Sequence, residues 1–239
     1  MKQCLLKNGK FVFFVSLLGI FALLVIASFL VPKENLFAIK FQLRGLGYRV
    51  TYNQYDGRWL WQPTGVSVFS RDTRVNNSIF NDLEKMPHLY AIQFHADLRA
   101  VNFDFFSYLP KLTHLGFINC TLDISELEKL SKCNLTWLVI DGSDLRESSF
   151  LCQHSQNSLT LLTISSCSIS DEHLRAIAKF SELRHLDLSE NPDVTDVGLL
   201  TYLSTIPSLQ SLNVNKTGVT ENGIEQFRHI RPDVDVRWR

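Results

Sequence analysis

Six short apolar segments recur along the chain in one pattern, an apolar residue followed at the fourth and sixth places by two more. They are Leu89-Tyr-Ala-Ile-Gln-Phe94, Leu112-Thr-His-Leu-Gly-Phe117, Leu135-Thr-Trp-Leu-Val-Ile140, Leu159-Thr-Leu-Leu-Thr-Ile164, Leu183-Arg-His-Leu-Asp-Leu188 and Leu209-Gln-Ser-Leu-Asn-Val214. The first four spacings are 23, 23, 24 and 24 residues, and the last is slightly longer. Alternation at period two predicts a strand in each, with its second and third apolar residues facing a core. After each strand apolar residues return at helical spacing, as in Ile124-Leu127-Leu130 and Leu174-Ile177-Ala178. Pro87, Pro110 and Pro207 each stand two residues before the next leading Leu, where they stop a helix and favour extended backbone. Val66-Ser-Val68 precedes Ile92-Gln-Phe94 by one repeat length and reads as a degenerate first strand.

Three residues past each segment stands a small polar or thiol side chain: Asp97, Cys120, Ser143, Cys167, Asn191 and Thr217. Segments, spacing and polar position together resemble the leucine-rich repeat. Val194-Thr-Asp-Val-Gly-Leu199 and Val219-Thr-Glu-Asn-Gly-Ile224 resemble the V-T-D-x-G-L turn of its cysteine-containing subclass, and Ile169-Ser-Asp-Glu-His-Leu174 is a copy without the glycine. The resemblance covers residues 63–239. It implies an α/β fold, a right-handed solenoid or horseshoe with a parallel inner sheet of about eight strands, because stacked repeats bury a core that none buries alone. Two departures stand out. The segment Asp97 to Val101 lacks the expected apolar position, and Val234, Val236 and Trp238 alternate as a closing strand.

Upstream, Phe11 to Val31 is 21 residues without a charge, 16 of them Leu, Ile, Val or Phe. A helix of that length spans about 31 Å, the thickness of a bilayer's hydrocarbon core, so one N-terminal transmembrane helix is expected. Lys2, Lys7 and Lys10 precede it, which predicts a cytoplasmic N-terminus (1–10), an anchor at 11–31 and an extracytoplasmic repeat domain in a single-pass membrane protein. A cleaved signal peptide is the competing reading, although its apolar core would be shorter. Residues 33–62 form an expected N-terminal cap: Leu36, Ile39, Leu43 and Leu46 share a helical stripe, Tyr48 to Tyr52 alternates, and Asp56-Gly57 signals a hairpin. Trp59 and Trp61 fit either cap burial or the bilayer interface. This lead-in is similar to that of anchored bacterial leucine-rich repeat proteins.

Composition narrows the function. Lys+Arg and Asp+Glu both number 24; setting aside the three N-terminal lysines leaves 21 basic against 24 acidic residues. A net charge of −3 argues against a nucleic-acid partner. Five cysteines do not make a disulfide scaffold. Cys120 and Cys167 occupy one repeat position two turns apart, about 10 Å, too far to bridge; they are expected as buried thiols, while a Cys133–Cys152 bridge stays open. No metalloprotease, nucleophile-elbow or phosphate-loop motif occurs, and Cys152-Gln-His154 has no second pair at zinc spacing. No cofactor, metal or catalytic residue is expected.

Outward-facing strand positions give three rows across the repeats. Most are small or polar, but Ile118, Trp137, Val139 and Leu161 adjoin in the middle, flanked by His114 on one side and by His185 and Asp187 on the other. An apolar centre with a polar surround predicts a protein- or peptide-binding site on the concave face of a non-enzymatic, membrane-tethered recognition module. Two alternatives remain. Cysteine-containing repeats also resemble the substrate-recognition half of F-box ubiquitin-ligase adaptors, though residues 33–62 hold no convincing F-box; a purely structural envelope protein is the other.

Overall fold

The computed structural model describes residues 49–53, 65–69, 83, 89–146 and 158–239. The expected anchor at 11–31, most of the cap at 33–62 and Cys152 lie outside the described residues. Among the described residues no helix is long and apolar enough to cross a membrane.

Nine strands form one sheet in chain order: β1 (Arg49–Asn53), β2 (Gly65–Phe69), β3 (Ala91–His95), β4 (His114–Ile118), β5 (Trp137–Asp141), β6 (Leu161–Ser165), β7 (His185–Asp187), β8 (Ser211–Asn213) and β9 (Asp235–Arg237). β1 pairs antiparallel with β2, and every later pair is parallel. The register runs Val66, Ile92, Leu115, Leu138, Leu162, Leu186, Leu212 and Val236, so the degenerate first strand and the closing strand join the six legible ones in phase. A parallel sheet that gains one strand per repeat, each repeat closing through a helical return, is the leucine-rich repeat arrangement.

The helical returns vary from turn to turn. Phe103–Tyr108 is a 3₁₀ helix; α1 (Ile124–Leu127) is a single turn continued as 3₁₀ through Lys132. Both sit in 23-residue repeats, and a third 3₁₀ turn, Leu203–Thr205, lies in the longest repeat. The later turns hold α2 (Asp171–Ile177), α3 (Asp196–Thr201) and α4 (Glu221–Ile230). Side chains cap four of these helices: Asn102 accepts from Asp104 N–H, Asp123 from Ser125 N–H, Thr195 from Val197 N–H and Thr220 from Gly223 N–H.

The core lies between the helical returns and one face of the sheet. Leu115, Phe117, Leu138, Ile140, Leu162, Ile164, Leu186 and Leu188 are all buried. Phe117 is sandwiched between Phe94 and Phe103, with ring centroids 6.0 and 5.3 Å away and near-parallel planes. Past the ends of β4 to β8 the chain turns through a left-handed residue: Asn119 (φ 50°), Gly142 (68°), Ser166 (52°), Glu190 (62°) and Lys216 (54°), with Ser168 (57°) a second one after β6. The N–H groups of the first four donate to the strand-end carbonyl of the following turn, at 2.7, 3.0, 3.0 and 2.9 Å. Those bonds offset the strain of non-glycine residues in that region.

The polar position inside this corner ties turns together. Cys120 Sγ donates to Phe94 O (3.3 Å), Ser143 Oγ to Cys120 O (3.0 Å) and Cys167 Sγ to Ile140 O (3.3 Å). Cys120, Cys133 and Cys167 are free and buried, so Cys120 and Cys167 are unbridged, as the strand spacing predicts. Asp97 departs from expectation. It bridges to Thr121, not to the Cys120 position, because the first corner is one residue short. Ala96 therefore turns inward, Leu98 is fully buried, and Asp97 points out to Arg99 at 2.7 Å. The apolar position missing from its expected place in the sequence is Leu98, displaced by that one-residue slip.

Candidate functional site

The face of the sheet away from the core is where side chains remain available. Alternation decides this residue by residue: in β5 Leu138 and Ile140 are buried, while Trp137, Val139 and Asp141 lie on the open face. Inter-strand pairing sets the neighbours. One row runs Ala91, His114, Trp137, Leu161, His185, Ser211; the next runs Gln93, Gly116, Val139, Thr163, Asp187, Asn213. In the third row Ile118 pairs with Asp141 and Asp141 with Ser165.

Trp137 is the centre of this surface, 46% exposed between His114 and Leu161. The His114 imidazole lies 4.5 Å from the indole, centroid to centroid, tilted by 45°. On its far side Tyr90 meets His114 edge-on at 5.4 Å, and Thr113 Oγ1 shares a 2.8 Å hydrogen bond with His114 Nδ1. Three rings thus support one another across adjacent strands and hold the indole in place. Burial pulls the His114 imidazole below its ordinary range, and it does the same to His95. A neutral His114 is compatible with an apolar neighbour; an imidazolium would need solvation.

Of the residues singled out from sequence, Trp137, Val139 and Leu161 are contiguous and partly open. Ile118 reaches them only diagonally, since Gly116 is the direct neighbour of Val139 and Asp141 that of Ile118. A side chain at Gly116 would crowd Gln93, whose Cγ stands 3.2 Å from where a Cβ would sit. His185 is exposed beside Leu161. Asp187 is held within its own corner: Oδ1 accepts from Ser189 N–H (2.9 Å) and Ser189 Oγ–H (2.6 Å), and Oδ2 from Asn213 Nδ2 (2.8 Å). It is a fixed carboxylate, not a mobile polar contact.

Tyr90 is the residue sequence reasoning missed. The position after each leading apolar residue holds Tyr90, Thr113, Thr136, Thr160, Arg184 and Gln210, and the one aromatic in that series was legible. Among the described residues no group of three His, Cys, Asp or Glu has the geometry to hold a metal ion. The described C-terminal end forms β9 at the far edge of the sheet and leaves Trp137 open.

No protein-family model matches the chain, and no curated protein does. Among solved structures it is similar to an internalin, inlF, of Listeria monocytogenes at 20% identity (70% of this chain, 52% of that one, TM-score 0.46) and to internalin C2 of the same organism at 15% (74% and 81%, TM-score 0.48). It is also similar to human 5T4, the trophoblast glycoprotein, at 17% (72% and 70%, TM-score 0.43). The chain spans about half the length of the inlF structure. The in-phase register from Val66 to Val236 shows the fold without these likenesses.

Proposed function

We propose that this chain is a non-enzymatic recognition module that binds a protein or peptide on the open, concave face of its repeats. The observation that carries the reading is Trp137: a large ring, 46% exposed, propped by His114 and continuous with Leu161 and Val139. Tryptophan surrounded by smaller apolar and polar residues is the usual anatomy of an interface hot spot. On the open face of β3 to β9 the one Lys or Arg is Arg237, against Asp141, Asp187 and Asp235, which suits a protein partner better than a polyphosphate. Residues 11–31 would tether the module to a membrane, with residues 1–10 cytoplasmic and the repeats on the other side.

Photo-crosslinking from position 139 of the full chain in its membrane tests the site, comparing wild type with Trp137→Asp. One dominant crosslinked protein, lost in the variant, is expected; identical or absent crosslinks refute the reading. Trp137→Asp leaves the buried core intact, so its melting temperature should stay near wild type. Leu186→Asp, which puts a charge at a 2%-exposed core position, should unfold the domain. Alkaline carbonate extraction tests the tether: the full chain should remain in the membrane pellet, and a chain lacking residues 11–31 should not.

A further inference from the structure

Resting on that reading of the Trp137 face, we infer that the partner segment is cationic: an extended stretch with a Lys or Arg four residues from an aromatic or aliphatic anchor. The inference comes from two open-face carboxylates, Asp141 and Asp187. Both are partly open, and neither has a cation within ion-pairing distance among the described residues, whereas Asp97, Asp104, Glu126, Asp144, Glu190 and Asp233 all do. Their hydrogen bonds come from neutral donors: Ser165 Oγ to Asp141 Oδ1 at 3.0 Å, and Ser189 and Asn213 to Asp187. Neutral donors fix the direction of a carboxylate and leave its charge uncompensated.

The pairing register sets the geometry. Asp141 stands four residues along β5 from Trp137, on the same face, about 13 Å away at about 3.3 Å per residue. Asp187 lies two strands across and one row along, about 12 Å from Trp137 at about 4.8 Å per strand. Leu161, Thr163 and Ser165 of β6 floor the ground between these three corners. An extended peptide covers about 13 Å in four residues, and side chains four apart point the same way. A segment whose anchor rests on Trp137 and Leu161 therefore presents its fourth neighbour, in either direction across the face, to Asp141 or Asp187. Apart from Arg237 on β9, no Lys or Arg on the open face of β3 to β9 competes for these carboxylates.

Selection of a displayed library of random twelve-residue peptides on the immobilised full chain tests this. Binders that depend on Trp137 should be enriched in Lys or Arg at the fourth position from an apolar anchor. Their affinity should fall about 2- to 5-fold for Asp141→Asn and about tenfold when Asp187→Asn is added, as expected for part-exposed charge pairs. Asp141→Asn keeps the Oδ1 acceptor for Ser165, whereas Asp187→Asn keeps Oδ1 for Ser189 but loses the acceptor for Asn213 Nδ2, so affinities are compared at a temperature where the melting curve of each variant shows it fully folded. Reversal gives a control independent of folding: Asp141→Lys should weaken the Lys-bearing peptide and strengthen its Glu-bearing counterpart. Trp137-dependent binders that are neutral or acidic, or that ignore both substitutions, overturn the inference and leave the Trp137 site standing. A library that yields no Trp137-dependent binder overturns both.

Discussion

Asn191 makes the sharpest test of how the turns are held together. Its side chain is fully buried. Oδ1 accepts from Cys167 N–H (2.9 Å) and Ile169 N–H (3.2 Å), while Nδ2 is directed at Ile164 O (2.7 Å), Leu188 O (2.9 Å) and Ser189 O (3.1 Å). Asn191→Ala strands two backbone N–H groups away from water, at about 1–3 kcal/mol each, for a total of about 4 kcal/mol. Ser143→Ala at the equivalent position removes one hydroxyl donor to Cys120 O and should cost about 1 kcal/mol. With a urea m-value of about 2 kcal/mol/M, the midpoints should fall by about 2 M and about 0.5 M. Far-UV circular dichroism along a urea titration reads both. Asn191→Asp separates hydrogen bonding from packing, because it keeps the volume and replaces the donor by an acceptor facing three carbonyls. It should destabilise as severely as Asn191→Ala and more so as pH rises. An Asn191→Asp variant as stable as wild type would refute the argument.

Three further outcomes follow from the geometry. In α3, Gly198 packs under the Asp171 carboxylate, which accepts from Thr195 N–H (2.8 Å) and Oγ1–H (2.6 Å); a Cβ there would collide with it. Gly198→Ala should therefore destabilise by about 1–3 kcal/mol despite a helix-propensity gain of about 1 kcal/mol, and the penalty should shrink in an Asp171→Ala background. Burial pushes the Cys167 thiol up to about 12 and Cys133 to about 11, and raises Cys120, so iodoacetamide at pH 8 should leave all three unlabelled in the native chain and label them in urea, as read by peptide mass spectrometry. His114 is held below its ordinary value, so the unfolded chain takes up its proton first on acidification: stability is complete above the ordinary His value of about 6.5 and is lost as pH falls through the lower folded value. The His114 imidazole should titrate by NMR below about 6.5; a midpoint above it would mean that the Trp137 face stabilises the imidazolium more than burial opposes it.

The strands, their register and the open-face rows were legible from the chain because one rule, period-two alternation recurring once per repeat, places a residue on a face without knowledge of its partners. Trp137 beside His114 and Leu161 follows from that rule alone, and so does the separation of Cys120 from Cys167. The helical returns were less so. Phe103–Tyr108 coils as 3₁₀ and Glu221–Ile230 as α, and the apolar spacing that marks both as helical does not distinguish the two.

The meaning of the V-T-D-x-G-L turn also needed three dimensions. The Asp of one turn accepts from the Thr of the next and occupies the space over its Gly, Asp171 on Thr195 and Gly198, Asp196 on Thr220 and Gly223. Arg231 reads as a surface cation, yet it is only 13% exposed and donates to the carbonyls of Ser204, Ile206 and Leu209 while pairing with Asp233. Trp238 donates its indole N–H to Val219 O. Local sequence determined which residues turn inward and which outward, since alternation acts between neighbours in the chain. Only the stacked structure decided what each inward or corner group touches, because those partners stand about one repeat away along the chain and meet through the spacing of whole turns.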